Sequence, residues 1–256
     1  MAGALRPARA FMADRRPPTN VMSSESTTVR YGLIIPALNE AGSIRELLTA
    51  LPRRRFEQVL VVDNGSTDAT AEVSRAAGAV VIREPRRGYG QACWTGLAAL
   101  RPEISAVAFI DADLSDDPAD LEHLLSVLES GGWDLVLGSR LLGKAEPGAL
   151  TPLQRFGNWL STLLIRWIWG VKFTDLGPLR VIRRQALDRL RLEDRDFGWT
   201  VEMQARAAQL RLKVTEVPVH YRRRHSGQSK ISGTLRGSFR AGVKILWTIY
   251  RCWRRG

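Results

Sequence analysis

The sequence predicts an α/β fold in which a mostly parallel sheet is covered by helices on both faces. Short apolar runs alternate with helical patterns from residue 30 to residue 137, a rhythm typical of parallel sheets. The apolar runs end abruptly, which indicates buried strands. A length of 256 residues with 45% hydrophobic content is enough for one sizeable domain of this kind.

The strands and helices follow one another regularly. The first strand is predicted at residues 31–35, where Pro36 halts an apolar run. Further strands are predicted at residues 58–62, 79–82, 107–110 and 135–137. Helices are predicted at residues 43–51, 69–77, 90–100 and 118–129, and Gly78 is a suitable terminator for the second. Ligands of such sheets bind at the carboxyl ends of the strands, so the segments that follow the strands are candidate binding segments.

The chain divides into three parts. Residues 1–28 carry Arg, Pro, Ser and Thr but no apolar core long enough for a signal peptide, so a flexible tail is expected. Residues 29–235 hold the α/β domain. Residues 236–256 mix Trp and aliphatic residues with Arg and Lys, which predicts a basic amphipathic helix suited to a membrane surface.

A Trp-rich segment at residues 150–173 is predicted to be an interfacial helix inserted in the domain. Trp159, Trp167 and Trp169 suit the headgroup level of a membrane, because indole favours that depth. A helix packed on the sheet or at a homodimer contact fits the hydrophobicity equally well. No run of 18 uncharged residues exists, so a peripheral rather than a membrane-spanning protein is expected.

The net charge of +12 predicts an acidic partner: a nucleic acid, an anionic membrane or a phosphorylated substrate. A basic solvated surface without a specific partner is the plainer alternative. Cys93 and Cys252 stand far apart and form no C-x-x-C spacing, which excludes a zinc site and a disulfide framework. A reducing cytoplasm, with the protein at the inner face of the membrane, is the expected location.

The segment Asp111-Ala112-Asp113 directly follows the predicted strand at 107–110. Residues two apart in an extended chain point the same way, so both carboxylates can face one ligand. Paired carboxylates suit Mg²⁺ or Mn²⁺, which in turn binds a diphosphate. An acidic loop without a metal is the alternative for this segment taken alone.

Two further polar clusters follow the first and second predicted strands, at residues 36–40 and 62–70. Asp68 could simply cap the next helix, and Gly65 could simply make a turn. Taken with residues 111–113, however, these clusters converge on one edge of the sheet, where a nucleotide would lie.

A basic loop at residues 221–230 surrounds Gly227. It contains Arg222, Arg223, Arg224, His225 and Lys230. Arginine forks and a lysine are suited to binding phosphates, and the glycine could let the loop close over a ligand. An exposed basic loop is again the alternative.

The order of six motifs resembles the family 2 glycosyltransferases with the GT-A fold. They are P-A-L-N-E, V-D-N-G-S-T-D-x-T, R-G-Y-G-Q-A, D-A-D-L, G-S-R and R-H-S-G-Q-S-K, spread over about residues 30 to 235. The branch most similar is that of the dolichyl- or polyprenyl-phosphate mannosyl- and glucosyltransferases. The resemblance implies a nucleotide-diphosphate sugar as donor, a lipid phosphate as acceptor and a Mg²⁺ or Mn²⁺ cofactor.

The resemblance also implies roles for individual positions. The donor-binding residues it implies are Pro36, Ala37, Glu40, Asp63, Asn64, Arg87, Gly88, Asp111, Ala112 and Ser229. Asn64 stands where the family often has a second Asp. The implied metal ligands are Asp111, Asp113 and, in place of a common Gln, Ser115. The implied catalytic residues are Asp113, Arg140, Arg224 and Lys230.

The reaction is expected to be a direct displacement with inversion, because no enzyme nucleophile is evident. A phosphate acceptor is already ionised, whereas a hydroxyl acceptor needs a general base, for which Asp175 and Glu202 are the late acids considered. Transfer to a soluble or cell-envelope hydroxyl is therefore the alternative reaction. A nucleic-acid-binding module would also explain the charge, but the carboxylates at 111–117 would repel a phosphate backbone, so no nucleic-acid partner is expected.

Overall fold

The computed structural model describes residues 29–224 and 235–255, with side chains in the second range from residue 242 onward. The predicted tail at 1–28 and the predicted site residues Ser229 and Lys230 lie outside the described residues. The described residues form a seven-stranded sheet with helices on both sides.

Six of the seven strands run in the same direction. The strands are β1 (Tyr31–Ala37), β2 (Phe56–Asp63), β3 (Val80–Arg83), β4 (Ala106–Phe109), β5 (Leu135–Ala145), β6 (Arg180–Arg183) and β7 (Val214–Tyr221). Their order across the sheet is β3-β2-β1-β4-β6-β5-β7. Only β6 is antiparallel to its neighbours β4 and β5. The predicted mostly parallel α/β fold is confirmed.

Eight helices accompany the strands in the described part of the chain. They are α1 (Ile44–Ala50), α2 (Thr70–Ala76), α3 (Tyr89–Ala99), α4 (Asp120–Ser130), α5 (Pro152–Trp169), α6 (Arg184–Leu190), α7 (Trp199–Gln209) and α8 (Leu235–Arg254). The five strands and four helices predicted up to residue 137 are all present. Strand β5 extends to Ala145, because a register shift after Ser139 lets its far end pair again with β7.

The core lies on both faces of the sheet. On the central strand β1, Leu33 and Ile35 pack towards α1 and α4, whereas Ile34 packs towards α3, α5 and α7. All three side chains are fully buried. Burial of each such side chain contributes about 1.5–3 kcal/mol, so β1 is held firmly and its carboxyl end is a fixed platform.

The predicted Trp-rich helix is present as α5 and lies against α7 and α8. Thr151 and Gln154 form a capping box at its start, and Gly170 ends it in a left-handed conformation. Large apolar side chains on α5 and α8 stay exposed. They are Leu153, Phe156, Trp159, Leu163, Trp167, Val243, Leu246, Trp247, Tyr250 and Trp253. In the ranges 29–224 and 235–255, no helix combines the length and apolar character needed to cross a membrane.

Candidate active site

A cavity of about 490 Å³ opens at the carboxyl ends of the adjacent strands β2, β1 and β4. Its lining residues are Pro36, Ala37, Leu38, Asn39, Glu40, Asn64, Arg87, Gly88, Tyr89, Ala92, Asp111, Ala112, Asp113, Asp196, Phe197 and Arg224. The structure thus brings the polar clusters after three strands into one wall. The cavity is of the size that small-molecule ligands occupy.

Asp111 and Asp113 both line this cavity but have different surroundings. The Oδ1 atom of Asp111 is shielded from solvent and has no hydrogen-bond partner among the described residues. Burial and the neighbouring charge of Asp113 raise the pKa of Asp111 to about 7. Asp113 is better supported, since it lies 2.7 Å from a guanidinium nitrogen of Arg224 and accepts the N–H of Ser115 at 2.9 Å.

Asp116 adds a third carboxyl group near this pair. It is buried, and neither of its oxygens has a hydrogen-bond partner in the part of the chain that the structure describes. Burial, and then the charge of Asp111, raises its pKa well above the usual value. Buried carboxyl groups that lie this close together are stabilised by a nearby cation.

The donor chemistry of the cavity fits a hard divalent cation. Among the described residues, no three His, Cys, Asp or Glu side chains are arranged to hold a metal ion by themselves. Mg²⁺ is commonly held by one or two carboxylates, with substrate phosphates and water completing its shell, and Asp111 with Asp113 meets that requirement. Ser115 is buried and is not among the lining residues, so its role as a third ligand stays a prediction.

Arg224 connects the first and the fourth strand ends. Its guanidinium lies 2.7 Å from Asp113 and 3.1 Å from Glu40, and both carboxylates are largely buried. Ser43 reinforces the same junction, because its hydroxyl donates to the carbonyl of Ala112 at 2.9 Å. The basic segment after β7 therefore places a cation directly above the acid pair.

Asn64 holds the loop that leads into α3. Its side-chain amide donates to the carbonyl of Arg86 at 2.7 Å and accepts the N–H of Gly88 at 2.8 Å. Asp63 accepts the N–H of Ser66 and is not among the lining residues. Arg87 lines the cavity and donates to the carbonyl of Gly65 at 3.2 Å. All three residues therefore shape backbone, but only Asn64 and Arg87 also line the cavity.

Gly88 and Gly90 allow a close approach between α3 and residues 194–196. A Cβ atom on Gly88 would lie 2.2 Å from the carbonyl oxygen of Arg195, and one on Gly90 would lie 2.4 Å from that of Asp194. Gly88 also has a φ of 146°, which favours glycine. This packing brings Asp196 and Phe197 into the cavity wall, although neither was considered from the sequence. Their only sequence signal is an acid and an aromatic ahead of a helix, which is not specific.

Arg140 and Asp175 bind one another rather than lining the cavity. The guanidinium makes two contacts of 2.7 Å with the carboxylate, and the Arg140 backbone N–H donates to it at 2.8 Å. Burial opposes ionisation of Asp175, but the Arg140 contacts outweigh it and lower the pKa of this carboxyl. Asp175 is therefore a poor proton acceptor for a hydroxyl. The predicted catalytic role of Arg140 stays a prediction.

Glu202, the other late acid considered as a base, is not among the residues that line the cavity. Glu202 is fully buried, accepts the N–H of Asp194 at 2.7 Å and pairs with Arg251 at 3.0 Å, an inward polar role on a helix. The sequence also contains a late Glu193-Asp194 pair, which the sequence analysis did not consider. Asp194 is buried against Lys244 at 2.9 Å, and neither member of the pair lines the cavity.

Two proteins are similar to this chain over most of its length. An uncharacterized glycosyltransferase of Mycobacterium tuberculosis is 40% identical over 229 residues, which cover 89% of this chain and 99% of that protein. An undecaprenyl-phosphate mannosyltransferase of Micrococcus luteus is 30% identical over 82% of this chain and 90% of its own length.

Solved structures show the same fold at lower identity. Glucosyl-3-phosphoglycerate synthase of Mycobacterium tuberculosis, crystallised with Mn²⁺, UDP and glucosyl-3-phosphoglycerate, matches with a TM-score of 0.72 and 21% identity. The match covers 89% of this chain and 81% of that one. Residues 33–191 match the profile of glycosyl transferase family 2. The chain belongs to glycosyl transferase family 2.

Proposed function

We propose that this glycosyltransferase moves a sugar from a nucleotide-diphosphate donor to a polyprenyl-type lipid phosphate, with inversion and with a divalent cation. The observation that carries the proposal is the juxtaposition of Asp111, Asp113 and Arg224 in one cavity at the ends of β1, β2 and β4. Carboxylates beside a guanidinium suit a ligand that brings both phosphates and a metal ion.

The cavity residues divide between the parts of such a donor. Residues 36–40 and Asn64 line the cavity at the carboxyl ends of β1 and β2, where a nucleoside would be bound in a sheet of this kind. Asp111 and Asp113 would hold the Mg²⁺ or Mn²⁺, which when bound neutralises charge on the leaving diphosphate. Arg224 and the predicted Ser229 and Lys230 of the following segment would bind the phosphate oxygens.

The chain's own acids favour an acceptor that needs no general base. Asp175 is ionised and held by Arg140, and Glu202 is buried and does not line the cavity. A lipid phosphate is already ionised at neutral pH and can attack without losing a proton to the protein. The similarity to the Micrococcus luteus undecaprenyl-phosphate mannosyltransferase supports the same acceptor class.

The exposed aromatic face of α5 and α8 supports access to a membrane-bound acceptor. Trp167 is 83% exposed, and Trp159, Trp247 and Trp253 are each more than half exposed. Arg254, in the last turn of α8, is exposed next to Trp253. Indole rings beside basic side chains are typical of helices that lie on an anionic membrane surface.

One observation favours transfer to a hydroxyl instead. Asp196 lines the cavity, and a carboxylate there could accept a proton from an acceptor alcohol. The structural neighbour was crystallised with glucosyl-3-phosphoglycerate, a water-soluble sugar conjugate. Under this alternative, Asp196→Asn removes transfer while donor binding persists.

Product analysis separates the two reactions. The purified full chain is incubated with Mn²⁺, a panel of UDP- and GDP-sugars, and either undecaprenyl phosphate in detergent or 3-phosphoglycerate, and products are identified by mass spectrometry. The proposal expects a lipid-linked sugar phosphate that Asp196→Asn still forms. A product only with 3-phosphoglycerate, lost in Asp196→Asn, establishes the alternative. No transfer from any donor to either acceptor overturns the proposal.

Membrane binding is tested separately by co-sedimentation. The protein is mixed with vesicles of phosphatidylglycerol and phosphatidylcholine or of phosphatidylcholine alone. We expect binding to the anionic vesicles that falls at least about tenfold in a Trp159→Ala, Trp167→Ala double variant. Leu141 is 44% exposed, lies on β5 rather than on α5 or α8, and gives the matched control Leu141→Ala. Equal binding of the double variant and the wild type would show that these exposed Trp side chains do not contribute to membrane binding.

A further inference from the structure

Residues 194–198, here termed the 194–198 turn, lie between the donor cavity and helix α8. Asp196 and Phe197 of this turn line the cavity. Lys244, Thr248 and Arg251 of α8 approach the same turn from its other side. A displacement of α8 can therefore be transmitted to the cavity wall through the five residues of the 194–198 turn.

On the cavity side, the turn is fixed to the start of α3. The N–H of Gln91 donates to the carbonyl of Arg195 at 2.8 Å, and that of Gly90 donates to the carbonyl of Asp196 at 3.3 Å. The absence of a Cβ at Gly90 lets the two backbones meet at this distance. The turn therefore joins the α3 end of the cavity to its Asp196–Phe197 wall.

On the other side, the turn is fixed to α8 through the side chain of Asp194. Its Oδ1 accepts the N–H of Asp196 at 2.8 Å and the N–H of Gly198 at 3.1 Å. Its Oδ2 lies 2.9 Å from Nζ of Lys244 and 3.6 Å from Nη2 of Arg251. One carboxylate thus uses one oxygen to shape the turn and the other to hold α8.

The contacts of Asp194 depend on one another. Its side chain is fully buried, and a buried carboxylate is tolerated only while cations and N–H donors compensate its charge. Removing the cations of α8 therefore also weakens the hydrogen bonds that Asp194 accepts from the turn. Gly198 is equally constrained, since a Cβ there would lie 2.4 Å from Oγ1 of Thr248.

We propose that Asp194 is a positioning residue through which α8 sets the Asp196–Phe197 wall of the donor cavity. The inference rests on the proposed function in that the cavity is taken to bind the nucleotide donor. Asp194 itself touches no donor, because it is not among the cavity-lining residues.

The test compares Lys244→Met and Asp194→Asn with the conservative variant Lys244→Arg and the control Arg254→Met. Arg254 is exposed on the same helix, ten residues beyond Lys244. Hydrogen–deuterium exchange of the peptides covering residues 88–92 and 194–200 reports on the turn without any ligand. Calorimetric titration with UDP or GDP in the presence of Mn²⁺ reports on the cavity. Thermal melting confirms that each variant is folded before either measurement.

In Lys244→Met and Asp194→Asn, we expect the amide exchange rate of both peptides to rise about tenfold. The contacts between the turn and α8 are lost in these variants, so the turn opens locally at a lower cost in free energy. Nucleotide affinity should fall about tenfold in the same variants. Lys244→Arg should restore both, and Arg254→Met should leave both unchanged.

Unchanged exchange in a folded Lys244→Met and Asp194→Asn overturns the inference. So does faster exchange with unchanged nucleotide affinity, since the turn would then not set the cavity wall. Failure of the wild type to bind either nucleotide overturns the proposed function instead. In that case, exchange at residues 88–92 still decides whether Asp194 connects α8 to the cavity loop.

Discussion

The two halves of the molecule use polar side chains in different ways. Up to residue 137, polar residues at the strand ends bond largely to backbone of the same half, as when Asn64 holds Arg86 and Gly88. Beyond residue 137, charged residues pair across long stretches of sequence, as Arg224 does with Glu40 and Asp113. The first half therefore shapes the cavity, and the second half supplies its countercharge.

The countercharge from the second half explains how the carboxylates of Asp111 and Asp113 can lie close together. Asp111 and Asp113 repel one another at the end of β4, and the charge of Arg224 offsets part of that repulsion. A metal ion and a donor diphosphate would complete the charge balance when bound. The predictions below remove one element of this arrangement at a time, in decreasing order of effect.

Replacing Asp113 with Ala should have the largest effect. It removes a proposed metal ligand and the partner of Arg224 together, so transfer should fall by at least about a thousandfold, or ~4 kcal/mol. The rate is measured as lipid-linked product per minute at saturating donor. Asp188→Asn is the control, because Asp188 is an exposed carboxylate that pairs only locally with Arg184. Near-normal turnover of Asp113→Ala would contradict the metal assignment.

Replacing Arg224 with Lys tests the countercharge from the second half. Lysine keeps the charge but cannot contact Asp113 and Glu40 as a planar fork. Donor affinity should fall about ten- to a hundredfold, or ~1.4–2.8 kcal/mol, as measured by calorimetry. Arg223→Lys is the matched control, since Arg223 lies next in sequence but bonds to Glu146 and Pro147, away from the cavity. Unchanged affinity of Arg224→Lys would mean that charge alone matters, and an equal loss in both variants would mean that the effect is not specific to Arg224.

A methyl group at Gly88 tests the shape supplied by the first half. Its Cβ would meet the Arg195 carbonyl oxygen at 2.2 Å, so Gly88→Ala should destabilise the fold by ~1–3 kcal/mol and weaken donor binding. Gly157→Ala is the control, because Gly157 lies within α5 and a Cβ there meets no described atom within 4 Å. Denaturant unfolding should show the control equal to or ~0.5–1 kcal/mol above the wild type. A stable Gly88→Ala would contradict the close packing of α3 on residues 194–196.

The loop next to the cavity should also confer acid sensitivity. Hydrogen bonds from Thr95 and Gln91 lower the pKa of Glu84 to about 2, and Glu84 in turn accepts the N–H of Arg86. A depressed folded pKa contributes stability that is present above the unfolded pKa near 4.5 and is lost as the pH falls towards 2. Thr95→Val should cost ~1–2 kcal/mol at pH 7 and less near pH 2. A cost independent of pH between 7 and 3 would exclude this role for Glu84.

The first half of the fold could be predicted because its signals are local. Strand β1 is a single buried apolar run, and its last two residues begin the motif P-A-L-N-E. Parallel strands present such ends at one edge, so the clusters after β1, β2 and β4 were expected to converge. Their convergence needed no knowledge of distant contacts.

The second half could not be predicted in the same way. Strand β6 has only four residues and owes its place to antiparallel pairing between β4 and β5. Asp196 and Phe197 reach the cavity because Gly88 and Gly90 admit a distant backbone, which no periodicity reveals. Asp175 could be considered as a base from the sequence, but its pairing with Arg140, 35 residues away, makes it a poor proton acceptor.

Nucleotide binding with and without metal tests the central claim most directly. UDP and GDP are titrated into the wild type and into Asp113→Ala, each with Mn²⁺ and with excess chelator, and heats of binding are recorded. The account expects one of the nucleotides to bind the wild type only with Mn²⁺ and to bind Asp113→Ala at least about a hundredfold more weakly. Equal affinity with and without Mn²⁺, or unchanged affinity in Asp113→Ala, would contradict a metal-held diphosphate at the end of β4.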